Sequence, residues 1–190
     1  MARDPWPPDA PGVRIDLKAV ADLSDAERAA LRALTAAVYP PEVLAASPAR
    51  HVTWAPVQWS VLVWSPEGAL LSHVGLVVRH GALDGAPARI GGVGGVKTHP
   101  GAEGRGLASA ALARAAAALR EEHGVAFSLL VCRDDLLPFY GRLGWRPFAG
   151  RLLVEQPAGP TLFTVNRAMV LPGLGAAPGA GTIDLKGLPW

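Results

Sequence analysis

Gly104, Gly106 and Ala108 fall in a short turn between an apolar run and an alanine-rich helix, within GGVKTHPGAEGRGLASAALARAAAAL from Gly94 to Leu119. Small residues there let the backbone approach a ligand closely. The new helix aims unpaired N–H groups and the positive end of its dipole at whatever lies in front of it. Such a turn holds an anion, and a pyrophosphate suits it. The single cysteine, Cys132, has no partner for a disulfide and no clustered ligands for a zinc site, so the run SLLVC reads as a buried strand.

The elements that must position this turn follow from the rest of the chain. With 190 residues, half of them apolar, it is long enough for one well-buried core and short for two domains. MARDPWPPDA has no apolar signal region, and Arg114 and Arg120 interrupt the most apolar helix, so a cytoplasmic protein without a membrane span is expected. The net charge is +2, with an acidic excess before residue 68 and a basic excess over residues 68 to 167. That asymmetry fits an anionic cofactor in the centre, and no basic tract is dense enough for nucleic acid.

Prolines at positions 5, 7, 8 and 11 predict a loose leader over 1–12, followed by a strand from Val13 to Lys18. Ser24 and Glu27 form a capping-box pattern, and Leu31, Leu34 and Val38 continue it as a helix that Pro40 and Pro41 stop. A short helix and loop are expected between Pro41 and Pro56. Strands follow at Gln58 to Trp64, Leu70 to His80 and Ala88 to Thr98, adjacent and antiparallel. A helix from about Arg105 to His123, a strand from Ala126 to Cys132 and a helix from about Asp134 to Leu143 make a strand–helix–strand crossover. Strands at Arg151 to Gln156 and Thr161 to Leu171 precede a Gly/Ala/Pro-rich tail over 172–190.

The loop EGRGLA, residues 103 to 108, resembles the pyrophosphate loop [QR]xxGx[GA] of the GCN5-related N-acetyltransferase (GNAT) superfamily at all but its first position. FYGRLGW, with Phe139, Tyr140, Gly144 and Trp145 in register, resembles the second signature of the same superfamily. The order of elements over residues 13–171 is similar too. The resemblance implies an α/β (α+β) fold with a central mixed, mostly antiparallel sheet splayed at the acetyl-CoA site and flanked by helices.

The resemblance further implies acetyl-CoA as cofactor, its pantetheine paired with the backbone of Gly95, Val96, Lys97 and Thr98. The pyrophosphate would rest on the amides of Gly104, Arg105, Gly106, Leu107, Ala108 and Ser109. No metal is implied: a neutral amine attacks the thioester, and Tyr140 matches the residue that protonates the leaving thiolate. Glu103 stands where the superfamily has Gln or Arg, and an outward-facing carboxylate is the expected way to avoid repelling the phosphates. Arg133 stands where many members have Asn, and either contacts the cofactor or lies on the surface.

For the acceptor, the run SHVGLVVRHGALDGAPARIGGVGGVKTHPGAEGRGLASAAL, LPFYGRLGW and the ending IDLKGLPW resemble aminoglycoside 2′-N-acetyltransferases. That implies Trp190, and less closely Asp184, facing a cationic antibiotic, and a small-molecule amine as partner. Gly94 falls where that family has the glutamate relaying a proton from the amine. A water chain along strand carbonyls, Glu42 or Glu155, or an amine already partly neutral are the alternatives, and His73 reads more readily as structural. Where Glu42, Asp134, Asp135, Glu155 and Asp184 point decides whether a polycation fits. Two further readings are an acyltransferase resembling nodulation protein A and a non-catalytic acyl-CoA-binding module; a homodimer through a final strand is an implication by analogy alone.

Overall fold

A computed structural model describes residues 12–190, and the leader expected over 1–12 lies almost wholly outside them. β1 (Arg14–Ala19), β2 (Trp59–Trp64), β3 (Leu70–Leu83) and β4 (Ala86–Thr98) form successive antiparallel pairs. WSVLVW in β2 makes a continuous apolar strand because both faces are covered, with Val61 and Val63 toward one core and Leu62 and Trp64 toward another. β3 and β4 run closer to their turn than predicted, leaving only Asp84 and Gly85 between them, at φ 50° and 82°. Gly81 and Pro87 hid this extension from the strand pattern; the carbonyl of Asp184 lies where a Gly81 side chain would project.

α1 (Asp25–Val38) starts as expected. The Ser24 hydroxyl accepts the Glu27 N–H at 3.2 Å, and the Glu27 carboxylate accepts the Ser24 N–H at 2.8 Å. α2 (Pro41–Ala46) is the short helix anticipated after the prolines. α3 (Leu107–Ala117) continues as a π-helical turn through Glu122, and lays Leu107, Ala111, Leu112, Ala115 and Leu119 on the sheet. Its alanines bring the helix backbone close to β2, β3 and β4. β5 (Phe127–Cys132) follows, with Cys132 buried as expected, and then α4 (Leu137–Arg142).

The remaining strands depart from the expectation. The run Thr161 to Leu171 is two strands, not one. β8 (Gly159–Leu162) closes a hairpin with β7 (Arg151–Gln156), while β9 (Arg167–Pro172) crosses over to pair with β5 and with β6 (Arg146–Pro147). Residues 163 to 166 leave strand geometry, and Phe163 turns into the core. Within 172–190, Thr182–Asp184 forms β10, parallel to β7 and antiparallel to the end of β3. The sheet order is β6-β9-β5-β4-β3-β10-β7-β8, with β2 and β1 sharing the outer edge of β3 with β10. One face carries α3 and α4; the other carries α1 and the curled end of the sheet, where Ile183, Leu185 and Trp190 join Ile90, Phe127 and Leu129 in a second core. Among the described residues no helix is long and apolar enough to cross a membrane.

Candidate active site

The parallel ladder between β4 and β5 lasts only from Ile90–Phe127 to Gly92–Leu129. Beyond it the strands part, and the edge of Gly94, Gly95, Val96, Lys97 and Thr98 has no β5 partner. Where they part, the β3–β4 register slips: His73 faces Lys97, yet Gly75 faces Gly94. Gly95 bulges there at φ +58°.

His73 pins this bulge. Its Nδ1–H donates to the Gly95 carbonyl at 2.9 Å, because a carbonyl can only accept, and its Nε2 then accepts the Ser60 hydroxyl at 3.1 Å. The ring is 3 % exposed, and burial, aided by the Lys97 charge, pushes its pKa down to about 4. A neutral ring with both nitrogens engaged is a structural residue and no proton acceptor. Because the unfolded ring titrates near 6.5, this group's contribution is complete above that value and is lost as pH falls through about 4. Urea unfolding at pH 7 and pH 4 should show roughly 3 kcal/mol of stability lost from this residue. His73→Asn should show a correspondingly flatter profile; parallel profiles would refute the assignment.

The glycine turn is built for close approach. Gly104 and Gly106 take φ +73° and +77°, and no protein atom lies within 4 Å of where a Cβ would stand. A side chain would fill that space and strain that backbone. Gly106 is the N-cap of α3 and offers no side chain to its amides, and the first intrahelical bond comes from Ala110 N–H, at 3.0 Å to the Gly106 carbonyl. The N–H groups of Leu107, Ala108 and Ser109 are therefore uncapped. Glu103 and Arg105 are exposed.

Tyr140, on α4, is 6 % exposed with its ring edge against Phe139 and Trp145. Burial first, then the neighbouring Cys132 and Tyr39, raises its pKa above that of an ordinary phenol. Arg133 is exposed, its guanidinium held by Asp135 at 2.7 and 3.0 Å, and Asp134 pairs with Arg167 at 3.0 Å.

A second cleft, of about 580 Å³, opens between α1 and the sheet beside the bulge. Arg28, Arg32, Thr35 and Tyr39 line it from α1, with Ser60, His73 and Lys97 opposite. Glu42, Asp134, Asp135, Glu155 and Asp184 do not line it. The residues of α1 that do recur at helical spacing, a signal the sequence contains and apolar periodicity passes over. The Trp190 indole is buried against Gly92 and donates to the Leu129 carbonyl at 3.0 Å, bridging β4 to β5 where the ladder ends. The Trp190 carbonyl carbon lies where a Gly94 side chain would project.

Residues 20–148, more than half of the chain, match the acetyltransferase (GNAT) domain family. No curated protein matches significantly. Among solved structures, the GNAT family N-acetyltransferase YhbS of Escherichia coli, in complex with CoA, is 16% identical with TM-score 0.59, covering 93% of this chain and 92% of its own. A GNAT family acetyltransferase of Brucella melitensis, in complex with acetyl-CoA, is 17% identical with TM-score 0.54, at 90% and 94% coverage. An acyl-CoA N-acyltransferase of Pseudomonas aeruginosa is 20% identical with TM-score 0.58, at 84% and 99%. These likenesses carry the fold. The parted strands, the glycine turn at the helix start and the family match over residues 20–148 converge on one conclusion: this chain belongs to the GNAT acetyltransferase family.

Proposed function

We propose that this protein transfers an acetyl group from acetyl-CoA to a primary amine of a small molecule. The observation that carries this reading is the uncapped start of α3, reached through two left-handed glycines directly after a strand whose ladder to β5 has ended. The amides of Gly104 to Ser109 would hold the pyrophosphate, and the open edge from Gly95 to Thr98 would pair with the pantetheine amides. Bound there, acetyl-CoA supplies an activated acetyl thioester. The chain orients that group, and Tyr140, protonated across the working pH range, gives its proton to the departing sulfur.

His73 is neutral and hydrogen-bonded at both nitrogens, and no carboxylate lines the cleft among the described residues, so the amine enters neutral or yields its proton to water. The finer reading, an aminoglycoside 2′-amine, is supported by the resemblance of the glycine-turn and LPFYGRLGW segments. The cleft's charge opposes it, because a polycation would meet Arg28, Arg32 and Lys97. Release of CoA thiol from acetyl-CoA, measured across amino acids, amino sugars, polyamines and aminoglycosides, tests the activity. Turnover with at least one amine is expected. Tight acetyl-CoA binding with no release would mark a binding module, and preference for long-chain donors would mark an acyltransferase of the nodulation protein A kind.

A further inference from the structure

Resting on the acetyltransferase reading, we propose that the acceptor is an amine that also carries a carboxylate, held by Lys97 in the cleft between α1 and the β3–β4 bulge. Lys97 sits half-buried on β4, two residues past Gly95, and its ammonium donates to the Thr35 hydroxyl at 3.0 Å. An ammonium has three donors, so two remain to serve a ligand. Arg28 and Arg32 add positive charge at the mouth; Arg28 is anchored there by donating to the Val20 carbonyl at 2.8 Å. Among the described residues none of the three cations has a carboxylate within 4.0 Å.

A cluster of unneutralised cations around a cleft favours an anion and repels a polycation, and the effect is strongest at the least solvated member, Lys97. The other walls are apolar, with Leu23, Leu31 and Val57, so the rest of the ligand is apolar too. The location suits an acceptor because the cleft touches the bulge through His73. His73 holds the Gly95 carbonyl at 2.9 Å, and Gly95 lies on the edge of β4 that β5 leaves unpaired. A carboxylate on Lys97 with an amine directed along β4 toward the parted strands describes an apolar amino acid.

The test compares kcat/KM for leucine with that for leucinamide, which differs in lacking the carboxylate, and includes an aminoglycoside as the polycation. In Lys97→Met the acid-to-amide ratio should fall at least about tenfold, the loss of one charge-assisted pair. In Arg32→Glu, at the solvated rim, it should fall roughly threefold. Comparing ratios between wild type and variant cancels the difference in the two amines' own basicity. An unchanged ratio in both variants, or highest turnover on the aminoglycoside, overturns the proposal. Should the wild type release no thiol with any amine, it is the acetyltransferase reading that fails. Calorimetric binding of N-acetyl-leucine then still decides on the anion site: about tenfold weaker binding to Lys97→Met supports it, and no binding to the wild type refutes it.

Discussion

Tyr140→Phe should lower kcat by roughly 10²- to 10⁴-fold, the span of a general acid's contribution, while the KM for acetyl-CoA stays within about threefold. The expectation follows from where the hydroxyl lies. Burial holds the phenol protonated well above neutral pH, which is the state a proton donor needs, and its proximity to Cys132 and Tyr39 acts in the same direction. No hydrogen bond to a described residue contributes to that shift, so phenylalanine leaves no partner stranded and the ring keeps its edge contacts with Phe139 and Trp145. Thermal unfolding should therefore change by only a few degrees. Thiol release at saturating donor and acceptor measures the effect, and a loss below about tenfold would remove Tyr140 from the chemistry.

Gly106→Asp should weaken acetyl-CoA binding at least about a hundredfold without unfolding the protein, because the new carboxylate stands at the phosphates and clear of the core. At φ +77° a β-carbon is strained, but aspartate is among the residues that tolerate the left-handed region, and there is open space around it. Its carboxylate would stand in the open space beside the amides of α3 that lack a side-chain partner. The phosphates meet a side chain and a like charge where they need open space. Calorimetric titration with acetyl-CoA, alongside a melting curve, separates the two effects. Unchanged affinity would dismiss the loop as the anion site.

Features of the sequence that act over a few residues were legible. The Ser24–Glu27 cap, the Asp84–Gly85 turn and the glycine turn before α3 each depend on backbone and side chains within one or two turns of chain, and all three stand as read. Partners distant in sequence were not legible. Nothing in Thr161 to Leu171 shows that its two halves serve β7 and β5, two different strands of the sheet. TIDLK reads as tail because three residues carry too little alternation to mark a strand, and its pairing with β3 and β7 is visible only in space. At the site, the turn was found because glycines are conspicuous. Lys97 was named for its backbone beside the cofactor, but its ammonium and the guanidinium groups of Arg28 and Arg32 were not read as one group, because only the approach of α1 to β4 gathers them. The burial of the Trp190 indole was not legible, because Gly92, which makes room for it, is remote from it in the chain.

β10 also sets an order of events during synthesis. Ile183 pairs with Leu83 and Asp184 with Ala82, so the edge of β3 opposite β4 and the edge of β7 opposite β8 stay unpaired there until about a hundred residues after β3 has left the ribosome. At about 5–20 residues per second that interval is several seconds or more, in which two apolar strand edges stand open to pairing with another nascent chain. A chain cut before Thr182 would keep both edges open for good. It would lose the Trp190 bridge between β4 and β5 as well, so truncation products should aggregate rather than survive as weak enzymes.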